Sequence, residues 1–184
     1  MEKYNMQKII LIVGLVIIVV AGAFFSWNYI KSKQVISAIN NFNECAAAGF
    51  PVAESFPRQC RTPDGRAFIE DIGNILEKQN LIRVTNPQPN QLIQNPLILK
   101  GETRGYWFFE ASFPVKLLDG NGKEIGRGIA QALSEWMTEN FVPFEATIQF
   151  QTPTTSKGKL ILEKDNPSGL PENEDQLWVP IRFK

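Results

Sequence analysis

From Ile9 to Phe25 the chain reads IILIVGLVIIVVAGAFF, seventeen residues with no charge and no strongly polar side chain. Trp27, Tyr29 and Ile30 extend the run to 22 residues. As a helix this is about 33 Å long at ~1.5 Å per residue, enough for a hydrocarbon layer of roughly 30 Å. Inside that layer the backbone must satisfy its own hydrogen bonds, so the pattern predicts a transmembrane helix over 9–30 behind a tail of residues 1–8. The lipid bilayer is the partner this segment implies. A cleaved signal peptide is the competing reading, with Lys3 and Lys8 as its basic leader and Ala21-Gly22-Ala23 as a small-x-small cleavage site. Phe24, Phe25 and the flanking Trp27 and Tyr29 favour a retained anchor with an interfacial aromatic belt. Lys3 and Lys8 nearly balance Lys31 and Lys33 across the span. The expected layout is single-pass, with a short cytoplasmic tail and a large extracytoplasmic domain.

Beyond the run the period becomes helical and polar. Val35, Ile36, Ile39, Phe42 and Cys45 recur at spacings of three and four, predicting a helix over 33–48 that Gly49 and Pro51 end. The following PVAESFPRQCRTPDGRAFIED reads as a small hairpin turned at Pro63-Asp64-Gly65. Cys45 and Cys60 are the only cysteines. Outside the cytoplasm such a pair is expected to form a disulfide, contributing about 3 kcal/mol for a loop of about 15 residues. A module spanning 33–70 has little core without it. A redox pair or an inhibitor loop beside a cystine are the alternatives, although no C-x-x-C spacing is present. Residues 71–80, DIGNILEKQN, read as a linker or a short helix.

From Leu81 onward short alternating segments are separated by turn residues, and strands are predicted at 81–85, 97–103, 107–118, 124–133, 144–151, 158–164 and 177–183. In the fifth, Phe144, Ala146, Ile148 and Phe150 alternate with Glu145, Thr147, Gln149 and Gln151, giving one dry and one wet face. In the third, Phe109, Ala111, Phe113, Val115 and Leu117 share a face. The fourth sets Ile125, Ile129 and Leu133 against Gly126, Gly128, Ala130 and Ala132. Asp119-Gly120-Asn121-Gly122 is a hairpin turn, and Pro114 and Pro180 suggest edge positions. The whole is mainly β: a seven-strand immunoglobulin-like β-sandwich over 81–184, held by packing alone because neither cysteine falls within it.

Composition narrows the chemistry. Without Glu2, Lys3 and Lys8, the 19 basic and 19 acidic residues become 17 and 18, which leaves no excess for nucleic acid. The chain contains no histidine, removing the commonest general base and most zinc or copper sites.

NPLILKGETRGYWFFEASFPVKLLDGNGKEI (95–125), VPFEATIQF (142–150), GKLILEKDNPSG (158–169) and WVPIRF (178–183) resemble the immunoglobulin-like domain associated with bacterial spore germination. The resemblance covers roughly 82–183 and implies an extracytoplasmic bacterial β-sandwich attached to anchors or other envelope domains. It implies neither spore germination itself nor any catalytic residue. The cystine module lies outside it and is similar only to short cystine motifs of bacterial envelope proteins.

Individual candidates are weighed on this frame. Asp119, Asn121 and Glu124 hint at a calcium loop, but Lys123 and Glu124 stand where a ligand and the required glycine belong. Glu172, Glu174 and Asp175 read as a solvated acidic loop, and Asp165-Asn166-Pro167-Ser168-Gly169 as a structured turn. Glu110 and Glu163 are a conceivable carboxylate pair for sugar hydrolysis. Tyr106, Trp107, Phe108 and Trp178 read as core, whereas Trp136, Met137 and Phe141 fall in a connection over 134–143 and are the candidate partner-binding residues. No catalytic residue, metal ligand or cofactor is expected. The leading reading is a non-catalytic, membrane-anchored binding or structural protein of the bacterial envelope, its partner an envelope protein or cell-wall component. The alternative is an envelope hydrolase or protease-inhibitor-like module.

Overall fold

A computed structural model describes the backbone of residues 2–183 and the side chains of 14–31 and 33–183. The side chains of Lys3, Lys8 and residues 9–13 of the predicted span lie outside the described residues. The chain divides into two compact units, Met1–Glu70 and Asp71–Lys184.

The first unit begins with helix α1 (Glu2–Ala38). From Gly14 it contains a window long and apolar enough to cross a membrane, and none of that window is buried in the protein. The helix predicted over 33–48 is two helices. The first part continues α1, the chain breaks at Ile39–Asn41, and α2 (Phe42–Ala47) starts afresh. The break follows from capping: the Asn41 side chain accepts from the Glu44 amide, and the Glu44 carboxylate accepts from the Asn40 amide. Gly49, at φ 80°, ends α2, with its amide on Ala46 and that of Phe50 on Cys45. Three short antiparallel strands follow, β1 (Val52–Ala53), β2 (Gln59–Arg61) and β3 (Ala67–Ile69). Cys45 of α2 and Cys60 of β2 form the disulfide, Cα to Cα 6.0 Å. Ile39 and Phe42 complete the buried cluster, with Ala46, Phe50 and Phe68 packed beside it.

Arg66 ties this module to the helix. Its guanidinium donates to the carbonyls of Ile36 (2.5 Å), in the last turn of α1, and Ile39 (2.7 Å), just past its end. A cation there also complements the helix dipole.

The second unit opens with α3 (Ile75–Lys78) and continues through β4 (Ile82–Asn86), β5 (Leu97–Arg104), β6 (Ser112–Asp119), β7 (Glu124–Ala132), β8 (Phe141–Ile148), β9 (Lys157–Glu163) and β10 (Gln176–Arg182). The sheet order is β10-β9-β6-β7-β8-β5-β4, with every ladder antiparallel. After β4 the chain crosses to the far edge: Asn90 donates to Pro180, Arg182 to Gln91, and Ile93 to Arg182. The seven-strand sheet therefore nearly closes on itself, between a sandwich and a barrel, and protects the outer edge of β10. Its interior holds Trp107, Phe113, Phe144, Leu117, Ile148, Leu160, Leu162 and Leu177, all fully buried.

Four expectations are corrected. Of the two readings of 71–80 the short helix holds, as α3, and the linker does not: Ile72 is buried, Asn74 donates to the Gln176 carbonyl and accepts from the Trp178 amide, and Lys78 pairs with Asp175 at 2.5 Å. The strand predicted over 107–118 starts only at Ser112, because Glu110 and Ala111 adopt left-handed φ of 49° and 61° and reverse the chain. On β7 the inward face changes along the strand. Pairing with β6 skips Ile125, so this bulge puts Ile125 and Ala130 inside and leaves Ile129 and Leu133 exposed. A Cβ on Gly126 or Gly128 would sit 2.7 Å from Phe150 or 2.8 Å from Ile148, so the small residues make room for large ones opposite. Finally, Pro180 does lie on a terminal strand, but Pro114 lies on internal β6. There it faces β7 alone, since the β9 ladder begins at Val115.

Candidate functional site

Antiparallel order places the connections 105–111, 133–140 and 164–175 together at one end of the sandwich. Their backbones are interlocked. Gly105 packs so closely on the middle connection that a Cβ would lie 2.0 Å from the Thr138 carbonyl oxygen and 2.1 Å from that of Trp136. Arg104 donates to the Glu139 carbonyl at 3.1 Å, and the Asp165 amide donates to the Trp107 carbonyl at 3.0 Å. The 164–175 loop is braced internally. Asn166 donates to the Leu170 carbonyl, Ser168 donates to Asn166, and Asn173 donates to Ser168.

Apolar side chains face water across these ordered loops: Met137 is 75% exposed, Leu133 61%, Tyr106 52%, Leu170 49% and Phe109 42%. A rigid frame under exposed apolar groups loses little entropy when a partner covers them. The turn presenting Phe109 carries strain as well. Phe109 and Ser112 exchange both backbone hydrogen bonds around Glu110 and Ala111, a two-residue turn with both central φ positive, where Asn-Gly is the favoured pair. Replacing Glu110-Ala111 with Asn-Gly is expected to stabilise the domain by about 1 kcal/mol or more. Urea denaturation checks this, and an unchanged midpoint would mean that the native side chains offset the strain.

The three residues picked from sequence do not form one cluster. Met137 stands at the loop tip. Trp136 is half-buried and packs against the sandwich core. Phe141 is the first residue of β8, not a loop residue, and its ring lies between the guanidinium groups of Arg83 and Arg104, each 4.1 Å from its centroid. The exposed-anchor assignment for Trp136 and Phe141 is therefore replaced by a supporting one. Tyr106, Phe109, Leu133 and Leu170 were missed. Tyr106 sits in a run of aromatics whose neighbours Trp107 and Phe108 are core, and Leu133 hides behind the bulge of β7.

The opposite end is devoted to turns. Asp119 is buried, its Oδ1 accepting from the amides of Asn121 and Lys123 and its Oδ2 from the Thr154 hydroxyl. The Thr154 bond foremost, with these amides and Lys123, holds its carboxyl below the usual range against the opposing effect of burial. Both oxygens thus serve the turn, which accounts for the calcium-like spelling of 119–124. Glu124 is likewise lowered, chiefly by its hydrogen bonds to Arg127. Glu163 pairs with Lys116 at 2.6 Å, beside a polar groove of about 670 Å³ under the 164–175 loop whose lining includes Pro114, Asn166 and Gln176. Among the described residues no group of three Asp, Glu or Cys side chains is arranged to hold a metal ion.

Residues 81–169 match the family described as the immunoglobulin-like domain of bacterial spore germination. No curated protein and no solved structure matches the chain.

Proposed function

We propose, from the match of residues 81–169 to the immunoglobulin-like domain of bacterial spore germination, a single-pass, membrane-anchored, non-catalytic binding protein of the bacterial cell envelope. Its N-terminus lies in the cytoplasm and its folded units outside. The α1 helix supplies the anchor, and the Cys45–Cys60 disulfide favours the oxidising side of the membrane. The observation that carries the binding role is the set of exposed apolar side chains on interlocked loops at one end of the sandwich. Loops at the end of such a scaffold vary without disturbing its core. The partner class is an envelope protein or a cell-wall component.

A photoreactive amino acid at position 137 in intact cells tests this, with position 121 at the other end as the control. Capture of one envelope component from 137 alone, weakened by about 2 kcal/mol in Met137→Asp, is the expected result. Equal capture from 121, or none from 137, rejects this end as the contact surface.

A further inference from the structure

We propose that the groove between the end of α1 and the turn of the cystine hairpin is a phospholipid headgroup site. The proposal rests on the membrane-anchor reading above. The groove has a volume of about 610 Å³ and is framed by Tyr29, Ile30, Lys33, Ile36, Pro63 and Asp64 among others. Positions 29, 33 and 36 fall on one helical face, so the same side of α1 that leaves the apolar run turns directly into the groove wall.

Three observations select a lipid as the occupant. The groove starts at Tyr29 and Ile30, immediately after the exposed Phe24, Phe25 and Trp27, so it continues the surface that faces acyl chains into the headgroup layer. Its other wall is held in place: Arg66, two residues after Asp64, fixes the turn to the Ile36 and Ile39 carbonyls. Asp64 in turn accepts from the Thr62 hydroxyl and from Arg66, so its charge is already compensated. Lys33, by contrast, lies over the Tyr29 ring at 5.0 Å and has no carboxylate within ion-pair distance among the described residues. An ammonium group at this depth, beside Ile30, Ile36 and the Pro63 ring, suits a lipid phosphate with its glycerol and first methylenes against the apolar wall.

The test uses the full chain reconstituted in phosphatidylglycerol or phosphatidylethanolamine vesicles, gently extracted, with retained lipid counted by native mass spectrometry. Lys33→Ala is expected to reduce retained lipid about fivefold, the worth of one lysine against an anionic headgroup. Lys31→Ala, on the same helix but outside the groove lining, should retain it, and Lys33→Arg should restore it. Competition by inorganic phosphate alone would show a free-anion site and overturn the lipid assignment. Equal losses from Lys31→Ala and Lys33→Ala would mean unspecific surface attraction and overturn it too. Flotation of the wild type with vesicles reports the anchor separately: failure to float rejects the anchor, whereas flotation with unchanged lipid retention in Lys33→Ala rejects only the groove.

Discussion

Truncating Phe144 to alanine is expected to destabilise the sandwich by about 3–5 kcal/mol, a large share of the stability of a domain this size. The ring is 1% exposed and meets Phe113 edge to face, with centroids 5.0 Å apart. It also occupies the space above Gly101, where a Cβ would come within 2.6 Å of its Cζ. The partners on both sides belong to strands, β5 and β6, whose ladders prevent them from collapsing into the vacated volume. Gln149, exposed just beyond the end of the same strand, is the control, and Gln149→Ala should stay within about 0.5 kcal/mol. Urea denaturation at constant m-value separates the two. Comparable losses would mean that the inward face of this strand is misassigned.

Alternation was a reliable guide where a strand kept one parity along its length. Phe144, Ala146 and Ile148 are all inside, as their spacing predicts. It failed at two places for local reasons. The bulge at Ile125 shifts the parity of β7, so an isoleucine and a leucine that spell a core face end outside, while glycine and alanine form the inner one. The Glu110-Ala111 turn carries no glycine, asparagine or proline, so nothing in composition announced a chain reversal there. The candidate site suffered from both. Leu133 and Phe109 became exposed through these irregularities, and Trp136 was drawn to the core by a loop contact at Gly105 whose closeness only the three-dimensional arrangement reveals. The break between α1 and α2 was more accessible, since Asn41 with Glu44 three residues later spells a helix start.

Loss of the Cys45–Cys60 bond is expected to cost the first unit about 3 kcal/mol by the chain-entropy estimate for its loop, with a sequence separation of 15. Among the described residues the buried hydrophobic cluster there is Ile39, Phe42 and the two half-cystines, so the bond is both the staple and half of that cluster. Replacing Cys60 with serine removes the link and leaves a hydroxyl where a fully buried sulfur was, opposite Phe68 on β3. The three short strands have too few ladder bonds to hold without that core. Once they loosen, Arg66 no longer meets the carbonyls of Ile36 and Ile39, and the last turn of α1 should fray with them. The sandwich shares none of these residues in its own cluster. In the full chain in detergent micelles, Cys60→Ser should therefore accelerate amide exchange across 36–70 and leave the main thermal transition of 81–183 where it was. A single transition shifted as a whole would show instead that the two units unfold as one, and the division at Glu70 would have to be abandoned.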